Sequence, residues 1–346
     1  MPSERRTCPL CGGGEFEPLF TGKDRMYGKP GEFPVVRCHS CALQFLALDF
    51  TFEELGRYYP TTYYSFEAAS EHIPAGLKGM ELRLRRAVEQ QVLGAYLGYP
   101  LARSANPLIR WLAAGKRQRY AQTPHYLPDG RLLDVGCGGG NYLAAMRKLG
   151  WQVEGVEPGQ SGVEAGRRQG LTIHHGTLET VQLPAASFDF VRFEHVLEHT
   201  PDPLATLREA ARVLKAGGRI RVQVPNADSL PARQFGSYWY HLDTPRHLFW
   251  FTPTTLQRMA GQAGLHIESL SVEVDYSDLS DSLIYWLKEH HPALGVRMER
   301  RKGLWKWSNK LAWPLRWWMR RCGSGTLLTV TLTHRSRHDQ HHHRRA

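Results

Sequence analysis

The chain has 346 residues, 42% of them hydrophobic, and a formal net charge of +11 from 44 Lys and Arg against 33 Asp and Glu. That length and composition describe a folded protein with one large or two medium domains. No run of 18 apolar residues occurs, and no N-terminal segment joins a basic start to an apolar core and a small-residue cleavage site, so a spanning or exported protein is not expected and a cytoplasmic one is.

Residues 1–66 read as a zinc-binding module. Cys8-Pro9-Leu10-Cys11 and Cys38-His39-Ser40-Cys41 are two Cys-x-x-Cys knuckles, the first followed by Gly12-Gly13-Gly14. Two such knuckles place four thiolates at tetrahedral reach of one Zn²⁺, and the glycines let backbone N–H groups turn toward sulfur. Four sulfur ligands leave no position for water or substrate, which makes the metal structural; redox-active or merely buried cysteines are the alternative. Cys137 and Cys322 have no evident partner.

Residues 67–125 are expected to form a helical cap. Leu77, Met80, Leu82, Leu84, Val88 and Val92 make an apolar stripe among Arg83, Arg85, Arg86, Glu89 and Gln90. A basic face of this kind either meets a membrane or nucleic acid or is simply solvated.

The chain is organised around residues 131–143, Arg-Leu-Leu-Asp-Val-Gly-Cys-Gly-Gly-Gly-Asn-Tyr-Leu. Leu132, Leu133 and Val135 form a short apolar run after a Pro-Asp-Gly turn, and Tyr142 to Met146 have the period of a helix, giving strand, glycine turn, helix. Gly136, Gly138 and Gly140 allow a tight turn and close approach of a ligand, and the new helix offers free N–H groups to it. Asn141 stands where the dinucleotide fingerprint needs its third glycine, so no pyrophosphate is implied. Asp134, at the end of the strand, suits the ammonium of an amino-acid-like ligand. Downstream, Gln152 to Glu157 reads as a second strand ending in an acid, which suits two ribose hydroxyls. His174 to Leu178 closes a third strand, and Ser187 to His199 reads as a fourth strand with its following loop.

On these residues the chain resembles class I S-adenosylmethionine-dependent methyltransferases, whose first motif Asp-x-Gly-x-Gly-x-Gly is matched by residues 134–140. The resemblance implies a Rossmann-like α/β sheet of seven strands with the last antiparallel, spanning about 126–334. It implies cofactor contacts from Asp134, Gly136, Cys137, Gly138, Gly140, Glu157, Thr177 and Leu178, with Glu194 and His195 at the methionine end and acceptor mouth. Thr177 stands where the family usually has an acid beside the adenine. With the zinc module and the aromatic stretch Arg57 to Ser65, the chain is similar to a bacterial group that includes sugar C-methyltransferases and relatives from polysaccharide and natural-product pathways.

Further along, Pro203 to Leu214 reads as a helix with Asp202 as N-cap and Gly217-Gly218 as its stop, and Arg219 to Asn226 as the fifth strand. Thr252-Pro253 opens another helix that ends at Gly264. Leu265 to Val274 and Thr326 to Thr333 are the expected sixth and seventh strands. His195-Val-Leu-Glu198-His199 also matches the zinc pattern His-x-x-Glu-His, but its place directly after a buried strand argues against a peptidase; Glu198 and His199 then read as structural.

The acceptor side is read from Ser237 to Phe251, where aromatic residues mix with His241, Asp243, Arg246 and His247. Methyl transfer to a hydroxyl or acidic carbon needs an aligned acceptor and a base, for which His247 is the first candidate and His241 the second; packing histidines are the alternative. Arg246 either holds an anionic acceptor or pairs with Asp243.

An insertion at 281–322 carries Trp286, Trp305, Trp307, Trp313, Trp317 and Trp318 among basic residues, the composition of an element that touches an anionic membrane surface or packs a domain. A basic tail at 335–346 is expected to be disordered. The sequence thus points to methyl transfer from S-adenosylmethionine to a hydroxyl or carbon of a sugar-like or other small acceptor, one that could be lipid-linked. The rivals are an RNA methyltransferase, which the net charge permits although no Asn-Pro-Pro-Tyr motif follows strand four, and a non-catalytic scaffold.

Overall fold

The computed structural model describes residues 3–59, 79–120, 123–275, 277–300 and 313–335. The aromatic residues of 60–65, Leu77, Trp305, Trp307 and the tail from residue 336 lie outside the described residues. In chain order the strands are β1 (Ser3–Glu4), β2 (Phe16–Gly22), β3 (Phe33–Cys38), β4 (Gln44–Leu46), β5 (Leu48–Asp49), β6 (Arg131–Val135), β7 (Gln152–Glu157), β8 (Thr172–His175), β9 (Phe188–Glu194), β10 (Leu214–Pro225), β11 (Phe249–Trp250), β12 (Leu265–Glu273) and β13 (Leu327–His334). The helices are α1 (Phe52–Gly56), α2 (Gly79–Tyr96), α3 (Pro107–Lys116), α4 (Asn141–Lys148), α5 (Gln160–Arg168), α6 (Pro203–Val213), α7 (Leu230–Phe235), α8 (Pro253–Gln262), α9 (Asp278–His290), α10 (Pro292–Arg300) and α11 (Trp313–Arg321).

Seven strands pair in the order β12-β13-β10-β9-β6-β7-β8. β6, β7 and β8 run parallel, and β13 is antiparallel to both β10 and β12. This is the sheet expected from the sequence, with its last strand reversed. By packing, the chain forms two compact units, one of Tyr64–Gly176 with Phe188–Phe190 and one of Met1–Tyr63, Thr177–Ser187 and Val191–Ala346.

In the first unit the continuous apolar run of β6 is buried, as a parallel strand covered on both faces requires. Leu132, Leu143, Met146, Trp151, Val163, Leu171, Ile173 and Phe190 form its core together with Leu93 and Tyr99. Trp151 Nε1 donates to the Tyr99 hydroxyl at 2.9 Å, which in turn donates to the Pro124 carbonyl at 3.0 Å. Of the predicted apolar stripe, the C-terminal part packs: Val88 and Val92 bury against Ala113 of α3, whereas Leu84 is exposed beside Arg83, Arg85 and Arg86.

In the second unit the strands of the cysteine-bearing segment join a four-stranded sheet of order β11-β4-β3-β2. Its fourth strand comes from far along the chain, with Phe249 opposite Phe45 and Trp250 opposite Gln44. Phe33, Val35, Leu43, Phe45, Phe249 and Phe251 are all buried. Asp202 caps α6 by accepting from the Ala205 N–H at 2.9 Å, and Thr252 with Thr255 forms a capping box on α8. One boundary differs from expectation. The α6 helix ends at Val213, and Gly217-Gly218 lie inside β10, because Leu214 turns to extended backbone, buries its side chain and accepts a hydrogen bond from His334 Nε2 at 3.2 Å.

Candidate active site

After β6 the backbone passes through three left-handed positions, Gly136 at φ +67°, Gly138 at +53° and Gly140 at +80°. Only glycine takes these without strain, and a Cβ at Gly140 would lie 2.5 Å from Leu171 Cδ1. Two buried carboxylates flank the turn: Asp134 on β6, and Glu157 at the end of the neighbouring β7. Glu157 Oε2 accepts from the Gly138 N–H at 2.8 Å and Oε1 from the Gly159 N–H at 2.7 Å. Burial raises the Glu157 pKa and the nearby Asp134 charge adds to the rise, while the two N–H groups oppose it. Each Glu157 oxygen keeps a further lone pair for a ligand hydroxyl, and the pair of acids favours a cation beside the turn. The Cys137 side chain belongs to the core instead: its thiol packs where a Cβ on Gly155 would come within 2.5 Å, and burial pushes its pKa upward. Only the backbone of Cys137 is left to line the turn.

The histidine cluster lies wholly within the second unit. After β9, His195 takes φ +52° and Leu197 to His199 form a single 3-10 turn, so His195 and His199 do not share a helix face. His195 Nδ1 lies 3.2 Å from Glu198 Oε1, and its side chain is 32% exposed against 0% for Glu198. Its ring stacks on His241 with centroids 5.9 Å apart. His199 Nδ1 is 3.0 Å from the Arg246 carbonyl and 2.8 Å from the Tyr59 hydroxyl, and its ring meets His247 edge-on at 4.5 Å. His247 Nδ1 lies 2.8 Å from the His241 carbonyl.

Burial and the neighbouring His247 bring the His199 pKa down to about 3, and burial with the proximity of His241 holds His247 well below its ordinary value. His241 moves the other way, since the charges of Asp278 and Asp275 outweigh its burial. Although burial pushes Asp275 up, His241 and the Ser277 N–H bring it down to about 2.

Arg246 is fully buried and all five of its N–H donors are used. Nη1 donates to Asp24 Oδ2 at 3.2 Å and to the Tyr58 carbonyl at 3.1 Å; Nη2 donates to Asp24 Oδ1 at 2.8 Å and to Asp243 Oδ1 at 2.5 Å; Nε donates to Asp243 at 3.0 Å. Of the two sequence readings, the ion pair is the one realised, and it has a second partner, Asp24, that the sequence did not suggest. Burial pushes Asp243 up to about 6, with Asp24 adding to the rise and Arg246 opposing it.

The four knuckle cysteines converge, with one sulfur from each within 4.8 Å of the others. Cys8 and Cys41 sulfurs are 3.5 Å apart and those of Cys11 and Cys38 3.4 Å. Zn–S bonds of about 2.3 Å in a tetrahedron would place sulfurs about 3.8 Å apart, close to this spacing. Gly12 at φ +74° and Ala42 at φ +61° follow the second cysteine of each knuckle, and their N–H groups return to the Cys8 and Cys38 carbonyls at 2.8 and 2.9 Å.

A family profile described as a methyltransferase domain matches residues 110–270. A ubiquinone biosynthesis O-methyltransferase of Thiobacillus denitrificans is 30% identical over 168 residues, covering 45% of this chain and 72% of the relative. The chain belongs to the class I S-adenosylmethionine-dependent methyltransferases. A second relative of the same name, from Idiomarina loihiensis, is 34% identical over 149 residues, 39% of this chain and 61% of its own. A solved S-adenosylmethionine-dependent methyltransferase from Mesorhizobium loti aligns with a TM-score of 0.43 at 16% identity, over 63% of this chain and 96% of that one.

Within this methyltransferase the structure groups Asp134, Gly136, Gly138, Gly140 and Glu157 around one turn, and separately groups His195, His241 and His247 with Glu198 and His199. Leu178 is buried, Thr177 donates its N–H to Thr180 Oγ1 at 2.9 Å, and Glu194 lies 3.4 Å from the Arg192 guanidinium. Sequence reasoning missed Asp24 and Tyr59, and it treated Glu198 and His199 as structural. For Glu198 and His199 the signal was the His-x-x-Glu-His spacing, whose helical interpretation the 3-10 turn overrules, and for Tyr59 it was the aromatic stretch Arg57 to Ser65.

Proposed function

We propose that this enzyme methylates a hydroxyl of a small-molecule acceptor, a sugar-like ring being the class read from the sequence, with Asp134, Glu157 and the glycine turn holding the cofactor. The observation that carries the proposal is the pairing of His195 with the buried Glu198 at 3.2 Å, directly after β9. S-adenosylmethionine, when bound, supplies an electrophilic methyl on a sulfonium. Asp134 would hold the ammonium of its methionine part and Glu157 its ribose hydroxyls, with Thr177, Leu178 and Glu194 completing the contacts. The bound group would give its methyl carbon to the acceptor oxygen and keep the carbon–sulfur electron pair on its sulfur. His195 takes the hydroxyl proton on Nε2, because Glu198 Oε1 accepts from Nδ1–H and fixes that tautomer. We assign the base to His195 ahead of His247 and His241, since both of those are buried and the Nδ1 of His247 is committed to a carbonyl.

The four-cysteine cluster is proposed to hold a structural zinc, its sulfur spacing and closed ligand set supporting that metal. The face of α11 is proposed to touch an anionic membrane surface: Leu315, Trp317 and Trp318 are exposed beside Arg320 and Arg321. No helix among the described residues is long and apolar enough to cross a membrane.

The test is the yield of S-adenosylhomocysteine over a panel of nucleotide-linked sugars, free sugars and catechols, for wild type and His195→Asn. An acceptor-dependent yield that falls at least about 100-fold in the variant while cofactor binding persists supports the reading. Full activity of His195→Asn removes it.

A further inference from the structure

Glu198, His199 and His247 each offer a ligand atom, and the three atoms lie within 4.8 Å of one another. The hydrogen bonds say which atoms are available. A carbonyl oxygen can only accept, so the contact of His247 Nδ1 with the His241 carbonyl puts the proton on that Nδ1, and the contact of His199 Nδ1 with the Arg246 carbonyl does the same, with the Tyr59 hydroxyl oxygen at 2.8 Å as a second acceptor of that proton. Both Nε2 atoms then carry lone pairs, the arrangement in which an outer carbonyl orients a metal-binding imidazole. Glu198 is 0% exposed; its Oε1 faces His195, whereas its Oε2 is buried with no hydrogen-bond partner among the described residues. A buried carboxylate oxygen left without a donor is costly, and a cation is the group that relieves it while using two adjacent imidazole lone pairs.

We propose that Glu198 Oε2, His199 Nε2 and His247 Nε2 bind a divalent transition-metal cation. Two imidazoles and one carboxylate suit Zn²⁺, Mn²⁺, Fe²⁺ or Co²⁺ better than Mg²⁺ or Ca²⁺, which prefer oxygen alone. Three protein ligands leave coordination positions open, the mark of a catalytic site and the opposite of the closed cysteine cluster. His199 is only partly buried, which leaves a way in. The inference rests on the methyltransferase reading for its use: a cation held there would lower the pKa of an acceptor hydroxyl, and His195, on the other oxygen of Glu198, would take that proton. The site was hidden because only two of its residues, Glu198 and His199, belong to the His-x-x-Glu-His pattern; His247 takes the place of His195.

The experiment loads the full-length, metal-stripped protein with a single equivalent of Zn²⁺ per chain for the cysteine cluster, incubates it with Co²⁺, removes unbound metal by gel filtration, and reads metal per chain with the visible spectrum. We expect one equivalent bound in wild type with weak bands of nitrogen and oxygen coordination and no thiolate charge transfer. That equivalent should be lost in His247→Ala and in Glu198→Gln. Absence of any such equivalent in wild type, or its retention in both variants, overturns the proposal. Should the variants fail to fold, pulsed electron spin resonance of Mn²⁺ bound to wild type decides: imidazole nitrogen couplings are expected, and their absence overturns it. S-adenosylmethionine binding measured calorimetrically on the same samples separates the two ideas. Cofactor binding without the metal sinks this inference alone, and metal without cofactor binding sinks the methyltransferase assignment of the site while leaving the cation site standing.

Discussion

Replacing Arg246 by Met keeps most of the side chain's length and removes its charge and five donors. In the folded protein this leaves Asp24 and Asp243, 0% and 7% exposed at their side chains, facing one another with no cation between them. Removing one partner of a buried ion pair costs about 3–5 kcal/mol, because the remaining charge is stranded in a medium that solvates it poorly. Here two carboxylates are stranded, so the upper half of that range is expected, about 4 kcal/mol. With a urea m-value of about 3 kcal/mol/M, the midpoint of the second unit's transition should fall by about 1.3 M. The sign with pH follows from the same charges. Without Arg246 both acids have folded pKa values raised above their unfolded ones, so the stability they contribute is present at low pH and lost as pH rises through the raised values. The deficit of Arg246→Met should therefore be smaller at pH 5 than at pH 8, and adding Asp24→Asn and Asp243→Asn should recover about half of it. Urea unfolding followed by near-ultraviolet circular dichroism at both pH values is the assay. A loss under about 1 kcal/mol, or a deficit that shrinks as pH rises, would refute the account of Arg246 as a buried clamp.

Gly140→Ala should abolish detectable cofactor binding and cost about 2 kcal/mol, since the new Cβ combines a φ of +80° with a 2.5 Å approach to Leu171; calorimetric titration with S-adenosylhomocysteine checks it, and unchanged affinity counts against the turn. Ala42→Gly, at φ +61°, should raise stability by about 0.5–1 kcal/mol in thermal melts with zinc bound, and a lower Tm would contradict the strain argument. The Asp275 pKa is lowered to about 2, so its stabilisation is present above about pH 4 and lost as pH falls toward 2. The stability gap between wild type and Asp275→Asn, on the order of 1–2 kcal/mol after allowance for partial exposure, should be full at pH 5 and narrower at pH 3, whereas a gap constant over that range denies the His241 pairing. Vesicles of anionic phosphatidylglycerol should sediment wild type and much less of the Trp317→Ala/Trp318→Ala double variant, with 0.5 M salt weakening both; equal sedimentation of the two would discard the α11 face.

Much of this protein could be read from short stretches of sequence, for a physical reason. A glycine turn, a strand that ends in an acid and a Cys-x-x-Cys knuckle are each specified by the φ, ψ and hydrogen bonds of about five consecutive residues. Gly136 to Gly140, Glu157, the Asp202 and Thr252 caps and the two cysteine pairs accordingly stand where local chemistry put them. The fold class followed from their order along the chain. Contacts that close over long separations had no local signature. Asp24 reaches Arg246 across 222 positions, β11 completes a sheet begun by β2, and His247 joins Glu198 and His199 from about 50 positions further along the chain. From sequence alone the same histidine reads as base or packing residue, with no hint of metal ligation. Which of these it can be is decided by the carbonyl that takes its Nδ1 proton and the buried carboxylate beside it, and both are supplied by tertiary structure.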